Sequence, residues 1–268
     1  MDGTVFETIE LSVEGPVARI QFRREQHLNA YSAAMIAELA EALLRAEREE
    51  EVKILVLRGS SAAFCAGADL DEVIELRDSD DPDAFHDRWI VPVHEIADQL
   101  ERSRLVVIGA IEGFALAGGL ELALACDLLL AAEDARLGDQ HVNFDLIPGG
   151  GGSQRLVRAI GAQQAKRLLF TGRWVSGTEA ARLGLVLAAV PAAELDGAVA
   201  ELVGDLVGKG PNALRRIKEL VNAGLRDGFE AGLALERAAI AQHITEPEAR
   251  AGIQRFLDRR AAGARSRG

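Results

Sequence analysis

Glu121 is the residue in this chain best placed to do chemistry. It is the only charged side chain between Gly113 and Cys126, in an apolar stretch, two residues after the Gly118-Gly119 pair. The run 105–111 is apolar and rich in β-branched residues, which reads as a buried strand. Leu120 to about Cys126 reads as a short buried helix, so the glycine pair stands at or just before a helix N-terminus. Backbone N–H groups there lack intrahelical partners, and a glycine lets a ligand oxygen approach them. Such a place suits an oxygen that develops negative charge. A carboxylate buried nearby without a partner is pushed toward the pKa range of a general base or acid. Two plainer readings stand beside this one: a tight turn with no ligand, and a buried acid paired with a distant arginine.

A second glycine-containing loop, 59–70, ends at Asp69 with Glu72 three residues on. That spacing has the form of a capping box and predicts a helix starting just after Ala68. Asp69 then caps the helix and fixes the Ala68 amide. A third stretch, 138–156, is irregular and ends in four glycines, with His141, Asn143 and Asp145 close together. It lacks the Lys-Ser/Thr ending of a nucleotide phosphate loop. His86 and His94 have no third ligand at metal-binding spacing, so no metal site is expected.

These loops need a scaffold, and the rest of the chain supplies one. The 268 residues are about half hydrophobic, enough for one large domain or a domain with an appendage. A hairpin is expected from Val5–Val13 and Val17–Phe22. An amphipathic helix follows from Ser32 to Glu50 with Ser32 as N-cap, then a buried strand over 52–58. Residues 76–87 are charged and irregular, and 89–102 reads as a helix. A short strand is expected at 135–137. Helices follow at 153–160, 162–171 and 179–183, a strand at 185–190 and a helix at 192–207. Three further helices are expected at 211–224, 228–244 and 246–260. A soft boundary near Lys209-Gly210-Pro211 divides 1–208 from 209–268. The recurring strand, strand or turn, helix pattern predicts an α/β architecture with helices outside a parallel core.

The net charge of −12, from 30 basic and 42 acidic residues, argues against nucleic acid or an anionic membrane as partner. Cys65 and Cys126 form no disulfide framework. The N-terminal stretch has neither a basic nor an apolar leader region, and a cytoplasmic location is expected.

FCAGADL (64–70), GFALAGGLELALACDLLLA (113–131), LIPGGGGSQRL (146–156) and ITEPEARAGIQRFLDRR (244–260) together resemble the enoyl-CoA hydratase/isomerase, or crotonase, superfamily. The resemblance covers nearly the whole chain. It implies a spiral of ββα repeats with a C-terminal helical oligomerisation region that builds a homotrimer or a dimer of trimers. It implies an acyl-CoA thioester as substrate, with no separate cofactor. By motif the two oxyanion-hole amides fall on Ala68 and Gly118, supported by Gly119, and the first catalytic glutamate on Glu121. The position of the second catalytic glutamate holds His141, either a substitute acid or base or a packing residue, with Asp145 as a candidate to orient it. Coenzyme A contacts fall on Arg24, the backbone at Ala66, and Phe256. The acyl pocket is expected among 76–100, Phe114, Leu116 and Phe144. The activity implied is an acyl-CoA lyase that hydrates a 2-enoyl thioester or moves its double bond through an enolate. A hydrolase or decarboxylase on the same scaffold, or a non-catalytic acyl-CoA binding protein, are the alternatives.

Overall fold

The computed structural model describes residues 3–265, with side-chain surroundings given for 6–260. The chain forms two compact units, residues 1–207 and 208–268.

The first unit is wound from pairs of strands. β1 (Gly3–Val5), β2 (Ile9–Glu14) and β3 (Val17–Phe22) form an antiparallel meander, followed by α1 (Ala33–Arg48). Ser32 caps α1 by accepting from the Met35 N–H at 3.2 Å, as its sequence position suggests. Three strand pairs come next: β4 (Ile54–Arg58) with β5 (Ala63–Cys65), β6 (Val106–Ile111) with β7 (Phe114–Leu116), and β8 (Leu128–Ala132) with β9 (Arg136–Gly138). The first strand of each pair joins a seven-stranded sheet, β1-β2-β3-β4-β6-β8-β11, completed by β11 (Ala188–Val190). The second joins a four-stranded sheet, β10-β9-β7-β5, completed by β10 (Val175–Ser176). β4, β6 and β8 run parallel, and so do β5, β7 and β9. Each turn of the spiral therefore brings one more strand end to the same edge of the small sheet.

The helices of this unit are α2 (Leu70–Arg77), α3 (Val91–Arg102, entered through one π turn at His86–Ile90), α4 (Gly118–Ala123), α5 (Gly152–Thr171), α6 (Gly177–Leu183) and α7 (Leu195–Val207). α5 breaks at Gly161, whose φ of 74° no helix contains, so its halves match the two helices expected there. All six residues of β6 are buried, which is why that run carries no alternation. The largest apolar cluster joins the α1 face (Met35, Leu39, Leu43) to α3 (Ile96, Leu100) and the strands beneath.

The second unit contains α8 (Pro211–Asp227), α9 (Phe229–His243) and α10 (Pro247–Arg265). α8 and α9 pack against each other, and Phe229 and Phe256 are exposed. No helix among the described residues is long and apolar enough to cross a membrane.

Candidate active site

Residues just beyond the ends of β5, β7 and β9 meet, because parallel pairing puts those ends side by side. Ligand sites form at the carboxyl ends of parallel strands for this reason. Beyond β5 lies Ala66-Gly67-Ala68, beyond β7 Ala117-Gly118, and beyond β9 Asp139-Gln140-His141. A Cβ on Gly67 would stand 3.6 Å from the Gly118 nitrogen, so the Ala68 and Gly118 loops touch.

Each loop is held by backbone bonds that leave one amide over. Tyr31 N donates to Gly67 O and Asp69 N to Tyr31 O, both at 2.9 Å, clamping Ala68 from either side without using its own N–H. Arg24 strengthens the clamp with a 2.8 Å ion pair to Asp69 and a hydrogen bond to Ala30 O. Asp69 caps α2 by accepting from Asp71 N. Burial opposes ionisation of Asp69, but the Arg24 hydrogen bond and charge outweigh it and hold the carboxyl below its usual value. In the neighbouring loop Ala117 adopts φ 49°, ψ −122°, a strained geometry for a residue with a Cβ. Its N–H donates to Gly138 O, and its carbonyl accepts from Leu120 N and Glu121 N. Gly118, next in line, has no acceptor for its N–H among the described residues. A Cβ on Gly118 would collide with the Tyr31 hydroxyl, and one on Gly119 with the Cys65 carbonyl, so both positions admit only glycine in this packing.

Glu121, in the first turn of α4, is 3% exposed. Its Oε1 accepts from Gly150 N and Gly152 N, each at 2.8 Å. This accounts for the four-glycine run. Gly151 takes φ 98°, turning the loop so that the amides on either side face one carboxylate oxygen, and a Cβ on Gly150 would lie 2.8 Å from Oε2. Arg155 does not neutralise Glu121. It braces the loop from outside, donating to Gly150 O at 2.9 Å and Glu101 at 2.6 Å. Burial raises the Glu121 pKa, offset in part by the Gly152 N–H, the His141 charge and the Gly150 N–H.

Oε2 of Glu121 faces His141 Nε2 at 3.9 Å. His141 opens a 3-10 turn (His141–Phe144), and its Nδ1 lies 2.9 Å from Asp139 Oδ1. Burial alone would lower the His141 pKa. The Asp139 hydrogen bond and charge, with Glu121, outweigh burial and raise it.

Asp145 does not orient His141. It terminates the 3-10 turn with φ 56° and is exposed, and the carboxylate that meets the imidazole is Asp139, two residues before it. An Asp-x-His step directly after a strand was the available signal. Arg24 is mostly buried and engaged within the protein, and Ala66 N donates to Leu28 O at 3.1 Å. Phe256 lies on α10 in the second unit.

The pocket beside Glu121 includes part of the expected 76–100 segment, Val93, Ile96 and Ala97, but not Phe114, Leu116 or Phe144. Phe114 packs on Trp174 and Arg136 instead, and Phe144 is 64% exposed. Met35, Ile36 and Leu39 of α1 and Val93, Ile96 and Ala97 of α3 line a small apolar pocket together with Gly118, Glu121 and Gly150. Tyr31 joins the lining, stacked on buried Trp89 with ring centroids 5.7 Å apart. Burial first, then the Glu121 charge, raise the Tyr31 pKa.

The model of the family described as enoyl-CoA hydratase/isomerase matches residues 12–265. The chain belongs to this family. It is similar to the putative enoyl-CoA hydratase/isomerase YngF of Bacillus subtilis, with 38% identity covering 92% of this chain and 93% of the relative. It is also similar to the short-chain-enoyl-CoA hydratase of Clostridium acetobutylicum, with 31% identity covering 93% and 94%. Among solved structures, the enoyl-CoA hydratase from Bacillus anthracis superposes with a TM-score of 0.88 at 34% identity, over 94% of this chain and 97% of that one. The fold is the crotonase fold of the enoyl-CoA hydratases, and the strand-pair spiral is its framework.

Proposed function

We propose that this enoyl-CoA hydratase/isomerase family member is an acyl-CoA lyase that adds water across the double bond of a 2-enoyl-CoA thioester. In this reading the thioester oxygen accepts from the Ala68 and Gly118 amides, and the acyl chain lies between α1 and α3. Glu121 Oε2 takes a proton from water as the water oxygen bonds to the β-carbon. The π electrons move into the enolate, whose oxygen the two amides stabilise, and His141 returns a proton to the α-carbon. The balance is one water gained. Double-bond migration uses the same enolate, with a proton removed from one carbon and returned to another. The proposed chemistry consists of the addition of water and proton transfers, and coenzyme A is part of the substrate.

One observation carries this reading: Glu121, buried and without an arginine partner, has one oxygen fixed by two backbone amides and the other turned to His141, at the base of an apolar pocket beside two amides without acceptors. Losing one good oxyanion donor typically costs about 3 to 4 kcal/mol of barrier, so two such amides matter to the rate. The test is mass spectrometry of the enzyme's products from a panel of 2-enoyl-CoA thioesters. A product heavier by one water supports the proposal, and unchanged substrate across the panel refutes it.

The His141–Asp139 pair favours a second reading, a thioester hydrolase in which His141 activates water against the thioester carbon. Free coenzyme A released from the same panel would mark it. The proposed assembly is a homotrimer or dimer of trimers built through the helices of the second unit, and sedimentation measures that directly.

A further inference from the structure

We propose that Asp139 is a positioning residue for the reaction, holding the His141 imidazole by Nδ1 so that Nε2 is presented to Glu121 and the substrate. The inference rests on the hydratase reading and deepens it.

Asp139 follows the last residue of β9, so its backbone is set by the small sheet, and it is 1% exposed. Oδ1 contacts both His141 Nδ1, at 2.9 Å, and the His141 backbone N–H, at 3.2 Å. The ring and main chain of one residue are thus tied to a single carboxylate oxygen. With Nδ1–H donated to Asp139, the neutral imidazole carries its lone pair on Nε2, and the cation carries a transferable proton there. Nε2 is the nitrogen 3.9 Å from Glu121 Oε2.

The other oxygen of Asp139 bears on why a carboxylate stands here. Oδ2 is buried with no hydrogen-bond partner among the described residues, 3.2 Å from where a Cβ on Gly152 would stand. A neutral amide in its place would keep an acceptor for Nδ1 but would bury two N–H donors where Oδ2 has no partner, so a carboxylate fits this position better. A carboxylate belongs here when a cation stands beside it. The charged groups that neighbouring elements turn toward His141 are Asp139 and Glu121. Arg155 of α5 is turned to Glu101, Asp98 and Gly150 O, and Tyr31 faces Glu121 from beside α1. The imidazole therefore lies between two carboxyl groups, one at its Nδ1 and one 3.9 Å from its Nε2. After turnover, the proton that Glu121 took from water is 3.9 Å from the nitrogen that gave one up, so its return to His141 resets the pair.

The experiment uses the full chain and compares kcat/KM against pH for wild type, Asp139→Asn, Asp139→Glu and His141→Gln, with the enoyl-CoA that wild type turns over best. If His141 must be protonated, activity falls as pH rises through its pKa, and removing the Asp139 charge lowers that pKa. Asp139→Asn is expected to cut kcat on the order of 10²-fold and to move the alkaline limb to lower pH. Asp139→Glu should bring part of both back. In a His141→Gln background, Asp139→Asn should change the rate by no more than about twofold, since coupled residues are not additive. An alkaline limb that stays in place in a folded Asp139→Asn enzyme overturns the proposal, as does an undiminished Asp139 effect without His141. Histidine ring ¹⁵N shifts of the wild-type enzyme supply an arm independent of folding and turnover: a protonated, hydrogen-bonded Nδ1 is expected, and an Nδ1 without a proton overturns the assignment. Should wild type not hydrate enoyl thioesters, or Glu121→Gln be fully active, the hydratase reading fails while the ¹⁵N result still decides the Asp139–His141 geometry.

Discussion

Gly152 donates its backbone N–H to Oε1 of Glu121 at 2.8 Å, and a Cβ on the same residue would stand 3.0 Å from that oxygen and 3.2 Å from Oδ2 of Asp139. One glycine therefore spaces the two buried carboxylates. Gly152→Ala is expected to leave the enzyme folded, at a cost of about 1 to 3 kcal/mol, because one methyl overpacks a tight site. It should lower kcat by at least about tenfold with little change in KM, since it displaces reacting groups and leaves the acyl pocket intact. Steady-state kinetics on the purified variant, with a denaturant titration alongside, check both parts.

Glu121 is useful because it is uncomfortable. Its folded pKa is raised, so the folded state binds its proton more tightly than the unfolded state does, and stability is lost as pH rises through the folded value. Glu121→Gln removes that penalty and retains an oxygen for the Gly150 and Gly152 amides. The variant is expected to match wild type in Tm below the usual glutamate range. At neutral pH it should exceed wild type by roughly 2 to 4 °C, the effect of ~1 kcal/mol in a domain of this size. Thermal melts across the pH range test this. A variant that melts lower than wild type at neutral pH would show that ionised Glu121 stabilises the fold.

Arg24 ties together residues 24, 30 and 69 on either side of the Ala68 amide. Arg24→Met is expected to cost about 1 to 3 kcal/mol at neutral pH, below the figure for a fully buried pair because both side chains retain some exposure. Asp69 has a lowered folded pKa. Its contribution is present above the usual aspartate range and fades as pH falls through the folded value, so the gap between variant and wild type should close in acid. A displaced Ala68 amide lowers kcat. A rise in KM alone, without loss of stability, would instead support a coenzyme A contact at Arg24.

In the proposed reaction the acyl chain lies in the pocket between α1 and α3, which would then set its length. Ala97→Leu extends a side chain into it, and is expected to spare crotonyl-CoA while reducing kcat/KM for long-chain enoyl-CoAs by about 10- to 200-fold, the range of one to a few methylenes in a pocket. Equal loss for short and long substrates would place the chain elsewhere.

Much of this was legible in the sequence, for identifiable reasons. The buried β6 run, the Ser32 cap and the Asp69 cap are local signals, and each appears in the structure. Glu121 was visible because it is the one charge in an apolar helix. β5 and β7 were not, because they exist by pairing with neighbours distant in sequence. The pocket moved from Phe114 and Phe144 to α1 for the same reason: the α1 face reads as ordinary amphipathic core, and which part of it faces Glu121 depends on the wrap of the spiral. The glycine run was recognised as unlike a phosphate loop, but its role as a clamp on Glu121 needed coordinates. Asp139, two residues before His141, was passed over for Asp145, four residues after it and turned to solvent.

Hydration of crotonyl-CoA and a longer enoyl-CoA by wild type and Glu121→Gln, with folding verified, bears most directly on the assignment of the site. Wild type is expected to hydrate at least one of them, and Glu121→Gln to lose about 10²- to 10⁴-fold in kcat, the contribution of a general base. Equal rates for the two enzymes would contradict the role given to Glu121 and, with it, the chemistry built around that carboxylate.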